Sequence, residues 1–273
     1  MLNIGWFSTA RGESSRKLLI TAFESIQKGE LQAKISFVFC SREPGESEKT
    51  DLFIDQVRSY NLPLVCFSVK KFAETYRQKI AIKDEQLPEW RLAYDRKAMS
   101  LLTQFDVDIC VLAGYMLIVG REMCDKYDMI NLHPALPSGP KGTWQEVIWK
   151  LIEEKATESG VMMHLVTTEL DRGPVITYCR YSLAGPQFDN FWKEVSNRTL
   201  DKIKNEQGEN NELFKRIRQA GFMRETSLII HTLKSFSEGK IRLDKHKNLI
   251  DSLGKYINGY DLTNEIDKTI SRK

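Results

Sequence analysis

The sequence predicts an α/β protein built on a doubly wound, mostly parallel sheet with a helical C-terminal extension. Three observations carry that expectation. Short apolar runs rich in β-branched residues alternate with segments whose apolar residues recur at helical spacing. The run Asp108 to Ala113 is continuous rather than alternating, the mark of a central parallel strand. From Phe188 onward the pattern is helical. At 273 residues the chain can bury a sizeable core, as one large domain or two. We divide it into an α/β domain over residues 1–204 and a helical extension over 205–273.

Residues 2–8 read as a buried strand. Ala10 to Ser15 is a loop, and Lys17 to Ile26 carries helical spacing at Leu18, Leu19, Ala22 and Phe23. Such a strand-loop-helix start presents free N–H groups that attract phosphate. Around Gly12, Arg11 and the hydroxyls of Ser14 and Ser15 favour an anion, whereas Glu13 opposes one. A plain serine-capped helix without a ligand is the alternative. No Gly-Lys-Ser/Thr follows, so the loop is not a P-loop. Ile35 to Cys40 is the second strand, Thr50 to Tyr60 a helix and Leu64 to Phe67 a short strand. Residues 69–90 are charged and poorly periodic, which predicts a surface excursion. Arg91 opens a helix running to about Gln104, and a solvated helix-start arginine is its plain reading. The strand at 108–113 ends at Gly114-Tyr115-Met116-Leu117-Ile118-Val119. At a strand's carboxyl end near a switch point, this segment either walls a flat apolar ring or packs the core.

Ile130 to His133 is the next strand end. Asn131 and His133 are two residues apart and point to the same side of it. Pro134 then ends regular pairing. Residues 138–143 form a loop before the helix Trp144 to Glu154, and its Lys141 reads as a solvated lysine or an anion contact. Gly160 to Val166 is a strand whose His164 reads as a core histidine. Asp171 follows, just before the turn signal Gly173-Pro174, and Val175 to Cys179 is another strand. Asn131, His133 and Asp171 are the candidate catalytic set. An amide can donate to a carbonyl oxygen gaining charge. An imidazole can move protons near neutral pH. A carboxylate can orient the imidazole or take an amine's proton.

The C-terminal region shows two amphipathic faces, Leu213-Phe214-Ile217-Ala220 and Leu228-Ile229-Leu233-Phe236, with Gly221 and Gly239 at helix-end positions. Residues 240–273 read as a charged helical tail with Leu262, Ile266 and Ile270 on one stripe. Docking of that extension on the body and homo-oligomer pairing through it both remain open.

Net charge is +3, from 40 basic and 37 acidic residues mixed along the chain, and no basic stripe points to nucleic acid. Five scattered cysteines without a Cys-x-x-Cys pair predict reduced thiols and a cytoplasmic protein. Met1-Leu2-Asn3-Ile4 leads straight into a strand, without a basic start or a long apolar segment, so neither a signal peptide nor a membrane partner is expected. No ligand spacing predicts a metal.

Asn131-Leu132-His133-Pro134-Ala135-Leu136-Pro137, followed forty residues after Asn131 by Asp171-Arg172-Gly173-Pro174, resembles the folate-dependent formyltransferases. Within that family it is most similar to the members that act on glycinamide ribonucleotide in purine synthesis. Both halves match in order and at about the family's spacing, and the resemblance runs from the N-terminus to about residue 239. It implies small-molecule substrates, with formyl transfer from 10-formyltetrahydrofolate to a primary amine, foremost that of glycinamide ribonucleotide. Asn131 and His133 would stabilise the oxyanion, and Asp171 would support His133. The resemblance implies a folate pocket at Leu112, Met116, Ile118, Val119 and Val166, with Arg91 near the folate's glutamate tail. It implies a substrate phosphate at Arg11, Gly12, Ser14 and Ser15, and a ribose contact at Glu225, whose alternative is a dipole-favoured helix-start glutamate. The chain departs from the family at Leu117, where relatives often carry arginine, and at Thr226, where they carry histidine. The 138–143 loop also lacks the histidine that relatives in purine synthesis commonly have, and the 10–15 loop has a single glycine.

Rival readings stay open. The acceptor could be another amine, a sugar nucleotide's or methionyl-tRNA's. The tRNA enzymes carry a C-terminal barrel, whereas 205–273 reads helical. Hydrolases of formyltetrahydrofolate carry an N-terminal regulatory domain, whereas the first strand here starts at residue 2. A folate-binding module without turnover is the rival from a different class.

Overall fold

The computed structural model describes residues 1–76, 87–196 and 198–271. In chain order the elements begin with β1 (Leu2–Ser8), α1 (Glu13–Gln27), β2 (Ala33–Cys40), α2 (Glu48–Ser59) and β3 (Leu64–Cys66). There follow α3 (Val69–Thr75), α4 (Glu89–Leu101), β4 (Ile109–Leu112), α5 (Arg121–Lys126) and β5 (Met129–His133). Next come α6 (Trp144–Glu153), β6 (Glu158–Leu165), β7 (Val175–Ser182), α7 (Asp189–Ser196), α8 (Leu200–Glu206) and α9 (Glu212–Ser237). The chain ends with β8 (Ile241–Leu243), β9 (Leu249–Asp251), β10 (Tyr260–Asp261) and α10 (Thr263–Ile270). The architecture is the doubly wound, mostly parallel α/β fold that the alternation of elements predicts.

Two compact units interleave along the chain, and each draws on both 1–204 and 205–273. The first comprises Met1–Leu132, His164–Pro174 and Leu233–Ile257. Its strands run in the order β5-β4-β1-β2-β3, all parallel. The order reverses between β1 and β4, so the loops leaving those two strands form a switch point, where open α/β sheets bind ligands. Phe7, Phe37, Phe39 and Tyr115 anchor the core there, with ring centroids 5.3 to 5.6 Å apart around Phe7. Burying a side chain of this size contributes roughly 1.5–3 kcal/mol.

The second unit comprises His133–Met163, Val175–Thr232 and Asn258–Lys273. Its strands run β10-β7-β6, with β10 parallel to β7. Helix α6 starts on a reciprocal cap: the Thr143 hydroxyl accepts from the Glu146 N–H and the Glu146 carboxylate accepts from the Thr143 N–H. Trp144 and Trp149 pack on Phe214 of α9.

Several expectations are corrected here. The two amphipathic faces at 213–236 belong to one continuous helix, because Gly221 is helical and does not end it. Glycine serves there as clearance: a Cβ at 221 would lie 3.1 Å from the Tyr181 hydroxyl. Glu225 is accordingly mid-helix rather than at a helix start. Residues 240–273 are not a helical tail throughout. They form the hairpin β8–β9, the edge strand β10 and the helix α10. The missed signal is turn chemistry: Asp244 accepts from the His246 and Asn248 N–H groups, and Lys247 has φ 62°. The stripe in α10 does bury Ile266 completely, with Leu262 just before it. Of the excursion expected over 69–90, residues 77–86 lie outside the described residues, while 69–75 is a helix that buries Val69 and Ala73.

Candidate active site

The first unit gathers the carboxyl ends of its strands. After β1, Thr9 donates its N–H to Gly114 O at 3.0 Å, and its hydroxyl accepts from the Met116 N–H at 2.9 Å. The loops at the switch point are therefore tied to each other through Thr9. From β5, the Asn131 amide lies 3.1 Å from His164 Nε2. Asp171 Oδ1 lies 3.5 Å from that same nitrogen. His164 Nδ1 is 3.0 Å from the Leu165 carbonyl, which can only accept, so Nδ1 carries a hydrogen.

That constraint fixes the cluster's options. With neutral His164, Nε2 accepts from the Asn131 amide. With charged His164, Nε2–H faces the Asp171 carboxylate, and Asn131 presents its oxygen or turns away. In sequence, His164 reads as a core histidine. It is buried, with a side chain 4 % exposed, yet it joins two of the three candidate residues. A signal was available in Gly173. The Cβ of any other residue there would sit 1.7 Å from Leu165 O, so the chain can double back tightly after β6. Asp171, in the left-handed region at φ 52°, lies in that return.

His133 is the last residue of β5 and is 3 % exposed. Its Nε2 lies 3.0 Å from Pro140 O in the 138–143 loop. Asn131 precedes it by two residues on the same strand.

The apolar segment divides in two. Leu112 and Val119 are buried in the core cluster, so packing accounts for them. Met116 is 49 % exposed, and Ile118 and Val166 are half-buried, which leaves these three able to meet a ligand. Arg91 is not a solvated helix-start residue, one of its two readings. It is 2 % exposed, pairs with Asp95 at 2.5 Å and donates to Ile118 O at 2.8 Å. Asp95 also accepts from the Gly120 N–H at 2.7 Å. Burial raises the Asp95 carboxyl above its ordinary value, against the pull of Arg91. The pair thus holds the backbone of 118–120 from beneath, and an arginine expected to face a folate tail is already committed.

At the 10–15 loop, Gly12 caps α1 with extended backbone, and a Cβ there would meet nothing within 4 Å. Arg11 is exposed, Ser15 is buried, and Glu13 pairs with Lys17 at 2.8 Å, which partly offsets its charge. Glu225, in the second unit, is 5 % exposed and ion-paired with Arg218; burial raises its carboxyl. Lys141 is exposed. Among the described residues no group of three or more side chains has the makings of a metal site, and no helix is long and apolar enough to cross a membrane.

Comparison with known proteins identifies the family of the fold. The Formyl transferase family model matches residues 21–184, more than half of the chain. Phosphoribosylglycinamide formyltransferase of Escherichia coli is 33 % identical over 108 residues, covering 38 % of this chain and 50 % of that protein. The Haemophilus influenzae protein of the same name is 23 % identical over 245 residues, covering 89 % of this chain and 92 % of its own. The solved phosphoribosylglycinamide formyltransferase of Coxiella burnetii has a similar fold, with TM-score 0.64 at 18 % identity, covering 95 % of this chain and 98 % of that one. The chain belongs to the formyl transferase family.

Proposed function

We propose that this chain transfers the formyl group of 10-formyltetrahydrofolate to the amine of glycinamide ribonucleotide. The observation that carries the reading is the cluster of Asn131, His164 and Asp171 at the strand ends of the first unit, within a motif that continues to His133. Relatives bearing the phosphoribosylglycinamide formyltransferase name support the acceptor.

The substrate amine attacks the formyl carbon, a C–N bond forms, and the carbonyl π electrons move to oxygen. The Asn131 amide N–H and His133 stabilise that oxyanion. The amine's surplus proton leaves to Asp171, directly or through water. The bond from the formyl carbon to the folate nitrogen then breaks, and His133 donates a proton to that nitrogen. His164 is a positioning residue: it holds the Asn131 amide and faces the Asp171 carboxylate. The exposed Met116, with Ile118 and Val166, offers the folate ring an apolar surface. Arg11 and the start of α1 offer the acceptor's phosphate a positive end.

One observation favours a second reading, formylation of a different amine. The 138–143 loop lacks the histidine that relatives in purine synthesis commonly have, and Lys141 there is exposed. An assay offering 10-formyltetrahydrofolate with glycinamide ribonucleotide, sugar-nucleotide amines and methionyl-tRNA, and following tetrahydrofolate release, separates the cases. Release that depends on glycinamide ribonucleotide is expected. Release without any amine would indicate a hydrolase, and release with a different amine alone would establish the second reading.

A further inference from the structure

Two of the five free cysteines face each other at strand ends in the first unit. Cys40 ends β2, Cys66 ends β3, and they are register partners on adjacent parallel strands. The Phe67 N–H donates to Cys40 O at 3.0 Å, which secures that register. Register partners project to the same face of a sheet, on strands about 4.8 Å apart. A disulfide joins Cα atoms roughly 4.4–6.8 Å apart, so the spacing is within reach. Cys40 is fully buried, whereas Cys66 is partly exposed. The thiols also act on each other. The neighbouring Cys66 and burial raise the Cys40 thiol, whereas Cys40 beside it, with help from Arg58, lowers the Cys66 thiol against burial. The other three cysteines are buried, and burial raises their thiols, Cys124 to about 11 and Cys179 to about 12. Thiolate character and access, the two requirements for reaction, coincide at Cys66.

We propose that Cys40 and Cys66 form a reversible dithiol–disulfide pair, oxidised by hydroperoxides, with Cys66 as the attacking sulfur. The Cys66 thiolate attacks a peroxide oxygen: an S–O bond forms, the O–O bond breaks, and the departing oxygen takes a proton from solvent, leaving as water from hydrogen peroxide or as an alcohol from an organic hydroperoxide. The Cys40 sulfur then attacks the Cys66 sulfenic acid. The S–S bond forms, the S–O bond breaks, and the hydroxyl leaves with the Cys40 proton as water. Two thiols lose two electrons together and the peroxide gains them. A small thiol reverses the change by exchange.

The bond would not be silent. Ser41, directly after Cys40, donates its hydroxyl to Thr9 Oγ1 at 3.0 Å, the atom that accepts from the Met116 N–H. Phe67, directly after Cys66, accepts the Tyr94 hydroxyl at 2.6 Å. Any shift of the strand ends on closing the S–S bond passes through Thr9 to the segment at 114–116. That consequence rests on the folate reading of Met116; the disulfide itself does not.

The test treats the full chain with hydrogen peroxide and maps peptides without reduction. The expected result is a cross-linked 40–66 peptide, loss of two of the five thiols, and recovery with a small thiol. Alkylation of the reduced chain should mark Cys66 about tenfold faster than the other four, as expected for the thiol with most thiolate character. Cys66→Ser should keep all its remaining thiols at the same peroxide dose. Cys40→Ser should instead accumulate sulfenic acid at Cys66, and it provides a second readout should either variant fold poorly. Sulfinic acid at Cys66 with Cys40 still free, a disulfide between two chains, or thiol loss in Cys66→Ser at the wild-type rate would each overturn the pair. Folate affinity should fall severalfold in the oxidised chain and recover on reduction. Unchanged affinity with the bond demonstrably formed would refute the coupling to 114–116.

Discussion

Arg91 with Asp95 in the first unit and Arg218 with Glu225 in the second are both helix-borne ion pairs with a buried carboxylate, and they are satisfied differently. Arg91 and Asp95 are one helical turn apart and each is 2 % exposed. Each also binds backbone, Ile118 O and the Gly120 N–H respectively, so the pair acts as a clamp on 118–120. Arg218 and Glu225 are seven residues apart, and their side chains are more accessible, at 18 % and 7 %. Arg218 lies over the rings of Trp144, at 4.6 Å, and Phe222, at 4.9 Å. The resemblance gave one member of each pair a substrate contact. The clamp at Arg91 cannot be surrendered to a ligand without freeing the 118–120 backbone. The Arg218 contact is side chain to side chain, so a ligand hydroxyl could replace it at Glu225 while the cation keeps its aromatic neighbours.

The largest expected effect breaks the clamp. Asp95→Ala leaves a buried guanidinium and an unpaired Gly120 N–H, and should destabilise by about 3–5 kcal/mol in urea unfolding. Glu225→Ala leaves a partly exposed guanidinium on aromatic faces, and should lose no more than about 1.5–3 kcal/mol. Equal losses would erase the distinction between clamp and exchangeable pair.

A smaller effect is in pH dependence. Burial raises the Glu225 carboxyl in the folded chain, so its stabilising contribution is fullest in acid and is lost as pH rises through that raised value. The stability difference between wild type and Glu225→Gln should therefore be most favourable to wild type in acid. The Thr143–Glu146 cap provides the opposite sign. Hydrogen bonds from the Thr143 N–H and hydroxyl lower the Glu146 carboxyl below its ordinary 4.5. That contribution is present above 4.5 and is lost as pH falls through the lowered folded value. The smallest expected effect is Thr143→Ala, about 1 kcal/mol from the lost cap. A difference between wild type and Glu225→Gln that grows with pH would contradict the assignment of burial as the dominant influence.

The sheet was legible because continuous apolar runs and helical periods are local properties, and β1 to β7 needed nothing more. The hairpin β8–β9 was not, because two strands of three residues each carry no measurable period, and its turn rests on the Asp244 side chain. Gly221 misled for a related reason: its role is set by Tyr181, forty residues away. At the site, Asn131, His133 and Asp171 stood out because their two motifs resemble the family's; Asn-x-His beside a proline is by itself a weak signal. His164 did not, since an imidazole in an apolar strand looks the same in sequence whether it packs or bridges. Neither reading of Arg91, solvated or near a folate tail, contained its buried pairing, because Ile118 and Gly120, which engage the pair, are brought to it only by the fold.

The most direct measurement of the central claim is steady-state kinetics of Asp171→Asn with 10-formyltetrahydrofolate and glycinamide ribonucleotide. The substitution keeps size and hydrogen bonding and removes the charge that faces His164 at 3.5 Å. The account predicts a kcat lower by roughly a hundredfold or more, the scale of a lost proton-transfer group, with KM for both substrates little changed and the fold intact. A near-normal kcat would make Asp171 a turn carboxylate and contradict the proposed chemistry.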